Sequence, residues 1–489
     1  MMATHTADLN NVLFTTAFLN SNLVLECPDI KLTEGKPNNP RVYCASGVIK
    51  VGVQTGAKAC IVCKRDPTQP SNPMESIKRS MSVKSGQIFP DHYYFRLEAT
   101  DRHGNVWTNP AVSLQIRHGE DSDEVRFECE RIETEHTMTV DVPFAHLIFA
   151  DKLDLPDNRI VTKFNDADGK DLKSIQREGS QGQLQNLNVL FKKVDGVTAQ
   201  EGYELQATAF GSDPIPEFFE NRLLEAIQFC TATLAWPVMS QVGQNGRRVL
   251  ALSAHRSPNK GLVAAPLANR KAATDFYTLL GRYYSYACKY AQGDEWSPLG
   301  KRVGGLFTMQ GVWLDSVALL LAVTAEGLLQ QAPFKAMSKV AKPMRTLVKK
   351  IADAATSLSV IEELAKQYEE LVKGTGARPL KDRMRALLQL MSSGRALDTM
   401  WLLQKAGAIT KAEIQSWEKL RNSGAHGSLN VDETQLQEFI DHMHRVMTMI
   451  YKIVFLHIGY KGGYSNLGEH GWARAEFDGP GLRGVLGMD

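Results

Sequence analysis

The chain has 489 residues, 43% of them hydrophobic and 22% charged, with a formal net charge of +2. That composition is globular and excludes a disordered or fibrous chain, and the length calls for two or three domains rather than one core. A net charge so near zero carries no nucleic-acid signal of its own, so any such signal has to be local.

The first twenty residues lack a basic region and a continuous apolar run, which argues against a secretory leader. Residues 1–210 hold short β-branched and aromatic runs between turn signals. Tyr93–Leu97 precedes Asp101–Asn105, and Ala111–Ile116 alternates with the period of a half-buried strand. Val189–Phe191 and Tyr203–Leu205 flank Asp195-Gly196, a hairpin dipeptide. The segment 64–86, rich in Pro, Ser and Lys, reads as an exposed loop. The expectation is a β-rich domain, a sandwich or a barrel, with a sensor or regulatory role because it holds no catalytic constellation.

Residues 211–304 are expected to form a helical connecting region and 305–458 a helical bundle. Phe218, Phe219, Leu223, Ala226 and Ile227 recur at helical spacing. Further helices are expected over 272–291, 308–330, 333–352, 355–373, 380–392, 394–406, 410–422 and 432–457. The stretch Val312–Leu329 contains Asp315 and Glu326 and falls short of the ~20 apolar residues of a membrane span, so it reads as a buried helix. Trp296, Trp313, Trp401 and Trp417 are expected to fill the helical core. In the last helix Asp432 can cap, and Leu436, Phe439, Ile440, Met443, Met447, Ile450 and Val454 form one stripe. The glycine-rich segment 459–489 is expected to be a loosely structured tail. Together these patterns predict an α+β multidomain protein, β-rich first and all-α afterwards.

Seven cysteines, an odd number scattered along the chain, suit a reducing compartment and place the protein in a cytoplasm. Cys60 and Cys63, with Cys27 and Cys44, lack zinc-knuckle spacing and read as buried thiols. Asp166–Asp171 resembles the start of a calcium loop but has Arg177 at the twelfth position, so a turn fits better. Gly479–Gly484 matches a dinucleotide fingerprint without the βαβ unit it needs. No metal or cofactor is expected.

One segment carries chemistry. In Trp417–Gly427, Arg421 and His426 stand five residues apart with Asn422 beside the arginine and glycines at 424 and 427. Five residues turn an ideal helix through about 140° beyond a full turn, so the pair shares a face only if the helix frays at Gly424. An imidazole can take the proton from a ribose 2′-hydroxyl or give one to the leaving oxygen. A guanidinium can hold two phosphate oxygens and favour the charge of the transition state. Asn422 can orient the phosphate or the imidazole. The ribose supplies the nucleophile, so the pair suits metal-independent RNA cleavage to a 2′,3′-cyclic phosphate and a 5′-hydroxyl. Arg131–His136, Arg96–His103 and Arg248–His255 have similar spacing without that context. The plainer alternative, ranked below this one, has Arg421 paired with a carboxylate and His426 capping a turn.

The pattern Arg421-Asn422-x-x-x-His426, ahead of the last long helix, resembles the HEPN ribonucleases, and in layout their ApeA-type phage-defence members. The resemblance covers roughly residues 305–457. It implies a HEPN-like four-helix bundle that forms a homodimer, with the Arg/His pairs of two copies meeting in one cleft. It also implies action on RNA as a toxin, a phage-defence nuclease in abortive infection or a processing enzyme, and an acidic helper from the first bundle helix, for which Glu326 is the match. A phage component could then act as trigger, or an antitoxin as restraint. Between Phe334 and Ala352, Lys335, Lys339, Lys342, Arg345, Lys349 and Lys350 occur with no acidic residue, a candidate RNA-binding face. The bland alternative is a solvated surface balanced by Glu362, Glu363, Glu369 and Glu370. His442 or Asp441 could line the cleft, since their helix follows the motif, but a place at the surface of that helix is the expectation. The rival to a nuclease is a catalytically silent module that dimerises or docks nucleotides or a protein.

Overall fold

The structure, a computed structural model, describes residues 12–35, 40–64, 94–137, 142–150, 153–156, 159–165, 171–194, 202–211, 214–256, 263–267, 273–308, 313–331, 334, 359–371, 396–426 and 433–479. It divides into two units, Met1–Asn259 with Arg270–Gly281, and Lys260–Asn269 with Arg282–Asp489.

The first unit begins with helix α1 (Val12–Leu19) and strands β1 (Leu23–Glu34), β2 (Val42–Gly52), β3 (Gly56–Lys64), β4 (Phe95–Thr100), β5 (Val106–His118) and β6 (Ser122–Cys129). They pair antiparallel in the order β4-β1-β2-β3-β6-β5, and β5 returns to β4, so six strands close a barrel. Irregular register between Cys27 and Ile30, and between Phe95 and Leu97, supplies the bends that closure needs. Alternation sends Ile30, Leu32, Ile49, Ile61, Leu97, Trp107 and Val125 inward, none more than 2% exposed, which fills a small barrel with side chains rather than a channel. Phe14 and Phe18 of α1 join this core. Cys60 and Cys63 point to opposite faces of β3, one exposed and one buried; Cys60 and Cys44 are thus not the buried thiols expected. Burial pushes the Cys27 thiol, with Asp101 nearby, up to about 12 and that of Cys63 up to about 11.

Beyond the barrel the sheet continues from β5 through β7 (Arg131–Thr137), β14 (Arg247–Ser253), β13 (Met239–Gln244), β8 (Phe144–Phe149), β12 (Gly202–Ala209), β11 (Leu187–Val194), β10 (Asp171–Leu184) and β9 (Arg159–Asn165). The expected hairpin across Asp195-Gly196 is there as β11 and β12, paired from Val194↔Gly202, with its turn outside the described residues. The calcium-loop look-alike joins β9 to β10, and its residues 166–170 also lie outside them. Gly182 sits where a Cβ would collide with the Tyr277 ring, whose hydroxyl donates to Ser180 Oγ at 2.8 Å.

Two expectations fail in the middle of the chain. Residues 211–304 do not form a purely helical connector: helix α2 (Phe219–Thr231) is followed by β13 and β14, which belong to the sheet and carry the first unit past residue 210. Their turn has Asn245 at φ 53° and Gly246 at φ 75°, the left-handed pair of a tight hairpin turn.

Helix α3 (Ala273–Tyr290) leads to α4 (Pro298–Val303), α5 (Leu314–Leu329), α6 (Ser359–Leu371), α7 (Ala396–Lys405), α8 (Lys411–His426) and α9 (Glu433–Ile458). Apart from Phe334, the helix expected over 333–352 falls outside the described residues, as does the one over 380–392. So does Asp432, while α9 buries Phe439, Met443, Val446, Met447, Ile450 and Val454 as a stripe. As far as residue 479 the tail is not loose: β15 (Gly462–Ser465) and β16 (Arg474–Phe477) pair, and the Tyr464 and Phe477 rings pack edge-on and tilted against Phe455 of α9. Trp417 is buried as expected, whereas Trp296 and Trp401 are only half-buried and Trp313, the residue before α5, is 85% exposed. Among the described residues no helix is long and apolar enough to cross a membrane.

Candidate functional site

Helices α5, α8 and α9 pack mutually, and α7 lies against α5 and α8. Helix α8 starts with a capping box: Thr410 Oγ1 accepts from the Glu413 amide at 3.2 Å, and Glu413 Oε2 accepts from the Thr410 amide at 2.7 Å. Its inner face carries Ile414, Trp417 and Leu420, none more than 3% exposed. Trp417 donates from Nε1 to the Ala322 carbonyl at 3.1 Å, which fixes α8 against α5.

One turn on, Arg421 leaves this seam. Its Nε donates to Glu326 Oε1 of α5 at 2.6 Å, and its guanidinium lies over the Trp417 ring at 5.5 Å from the centroid. The arginine side chain is 55% exposed and the glutamate 26%. Arg421 and Glu326, 95 positions apart and assigned to one site only through the family resemblance, meet at a solvent-facing edge. At such exposure the pair adds at most about 1 kcal/mol to stability. A guanidinium has five N–H donors, so a carboxylate on Nε does not exhaust it.

The other expected site residues are not gathered there. Asn422 is exposed on α8. The helix does not fray at Gly424 but runs on to His426, so the positions of Arg421 and His426 diverge by about 140° around its axis. That corrects the expected convergence within one chain; the side chains of residues 423–426 lie outside the described part. Lys335, Lys339, Lys342, Arg345, Lys349 and Lys350 also lie outside it. On α6, Glu363, Glu369 and Glu370 are exposed, with Glu362 undescribed.

Sequence reasoning missed the polar seam between α8 and α9. Lys452 Nζ donates to Glu413 Oε1 at 2.7 Å, with side chains only 8% and 6% exposed, and lies 5.5 Å from the Tyr464 ring centroid. Burial, the largest single influence, acts to lower the Lys452 pKa, but Glu413 and Tyr464 together outweigh it and the ammonium stays above its ordinary value. A lysine inside the apolar run Met449–Leu456 is the signal that it needs a buried partner. His442 is likewise not a surface residue: it is 9% exposed, and Ser416 Oγ lies 3.0 Å from its Nδ1. Burial, with Lys419 close by, holds its imidazole below the ordinary value. Its Nε2 lies 3.3 Å from Glu438 Oε1, off the line of a hydrogen bond. Lys419 pairs with the same Glu438 at 2.9 Å.

Among the described residues no group of three or more His, Cys, Asp or Glu side chains is placed to hold a metal ion. What the exposed edge can do chemically is bind an anion through Arg421, with Glu326 fixing the guanidinium plane and Trp417 supporting it from below. No family model, curated protein or solved structure matches the chain.

Proposed function

We propose that the chain is a metal-independent endoribonuclease of HEPN type, acting through Arg421 and His426. The observation that carries the proposal is the meeting of Arg421 and Glu326 at 2.6 Å on an exposed edge of α5 and α8. A carboxylate on Nε orients the guanidinium and leaves its outer nitrogens for two phosphate oxygens. In the proposed reaction the His426 imidazole removes the 2′-hydroxyl proton, and the 2′-oxygen forms a bond to phosphorus. The bond to the 5′-oxygen breaks, and that oxygen takes up a proton to leave as a hydroxyl. Arg421 stabilises the charge on the non-bridging oxygens, with Asn422 assisting. Because α8 is unbroken, the proposed site is composite: a four-helix bundle dimerises and brings His426 of one copy toward Arg421 of the other. The cations from Lys335 to Lys350 would hold the RNA backbone. Unit one would sense a trigger or restrain the nuclease, and the setting would be phage defence or a toxin in a cytoplasm.

Arg421→Ala and His426→Ala should each abolish RNA cleavage while leaving the far-UV helical signal and the oligomeric state unchanged. Full activity of both variants would overturn the assignment. A second reading, a catalytically silent dimerisation or docking module, is favoured by the same ion pair and the unbroken helix, which fit a structural Arg421. Under that reading both variants are inert toward RNA, as is the parent protein.

A further inference from the structure

The outer wall of the barrel carries a groove of about 680 Å³, formed by β2, β3, β5 and β6. That volume lies within the range of small-molecule sites, roughly 300–1,000 Å³. Lys50 and Lys58 line it from neighbouring strands and stand directly opposite each other in register. Like charges at opposed positions of an antiparallel pair repel; Lys58 faces Glu128 across its other ladder, which leaves Lys50 without a carboxylate opposite it in that pairing. Arg126 adds a third cation, facing Cys60 on one side and Gln115 on the other in the ladder. Its Nε donates to Glu124 Oε1 at 2.7 Å, so the guanidinium is held in place. Ser113 and Gln115 add neutral hydrogen-bonding groups, and a single carboxylate, Glu128, lines the groove against the three cations.

We propose that this groove binds a small phosphate-bearing ligand, a nucleotide or a free oligophosphate. Lys50 and Lys58 take the phosphate charge as mobile point donors. Arg126 closes the anionic end, and Ser113 and Gln115 bond the remaining polar atoms. The site lies wholly within the first unit and does not depend on the ribonuclease assignment.

Cys60 lines the groove and is exposed, and Cys44, exposed on β2, is absent from its lining; together they give a footprint with an internal control. The full chain is alkylated with iodoacetamide in the presence of ATP, tripolyphosphate or adenosine, and both cysteines are followed by peptide mass spectrometry. ATP slows Cys60 modification severalfold and leaves Cys44 unchanged. Equal protection by tripolyphosphate identifies the phosphates alone as ligand, and protection by ATP only adds a role for the base. In Lys50→Gln/Lys58→Gln the affinity falls about a hundredfold, since each lost charged contact weakens binding roughly tenfold. No protection at millimolar ATP and tripolyphosphate, equal protection of both cysteines, protection by adenosine alone, or protection that persists in the double variant would each overturn the proposal.

Discussion

Replacing Glu413 by Gln tests how α8, the helix that carries Arg421, is held. Glutamine keeps the shape, and its one carbonyl oxygen can still accept from the Thr410 amide in the capping box, while its NH2 group cannot accept from Lys452. Lys452, 8% exposed and bonded to Glu413 Oε1 at 2.7 Å, is left as an uncompensated buried cation. Stranding one member of a buried pair costs about 3–5 kcal/mol. For a unit of this size that is a fall of about 6–20 °C in Tm. Scanning calorimetry of the full chain reads it as a shift of one of two transitions, because two units need not unfold together. The double variant Glu413→Gln/Lys452→Met removes both charges and should return within about 1 kcal/mol of the parent, giving a coupling of several kcal/mol in a double-mutant cycle. A Glu413→Gln loss under about 1 kcal/mol, or a double variant as unstable as the sum of the singles, would refute the buried pair.

Gly424→Ala should raise the stability of the second unit by about 0.5–1 kcal/mol, because α8 is helical through that position; a loss in the same calorimetric scan would mean that the helix ends there. His457, buried against the Tyr286 and Phe334 rings, is held at about 4 by burial, partly opposed by the Leu328 carbonyl. Its folded value lies below the ordinary 6.5, so the unfolded chain takes up the proton first. Its contribution is full above pH ~6.5 and is lost as the pH falls toward 4, about 2 kcal/mol of it by pH 5. Urea midpoints at pH 7 and 5 should converge by that amount in His457→Leu, and an unchanged difference would contradict the burial. Gly182→Ala should cost about 1–3 kcal/mol by forcing the Tyr277 ring aside, read as a lower urea midpoint; a neutral effect would show that the ring moves freely.

Periodicity made the helices legible, because a stripe such as Phe439–Val454 depends only on local spacing. Closure of the barrel was not legible, since the β4–β5 pairing follows from register and bulges that composition does not encode. β13 and β14 were missed although Asn245-Gly246 is the same kind of hairpin dipeptide as Asp195-Gly196; the neighbouring helical pattern of α2 masked it. In the tail, glycine content outweighed Tyr460, Tyr464 and Phe477, whose burial on α9 holds the hairpin. At the site, Arg421 and Glu326 were both visible as residues, and their contact was not, because a pairing across 95 positions is tertiary information. The expected fraying at Gly424 failed for a related reason: glycine lowers helix propensity by only about 1 kcal/mol, which the packing of Trp417 and Leu420 one turn earlier can override.

The proposed chemistry is tested most directly by the ends it leaves on RNA. Purified protein is incubated with a defined single-stranded RNA in EDTA, and the fragments are identified by mass spectrometry. Metal-independent transesterification predicts 2′,3′-cyclic phosphate and 5′-hydroxyl termini, lost in Arg421→Ala and in His426→Ala. Intact RNA, cleavage abolished by EDTA, or 5′-phosphate termini would contradict it.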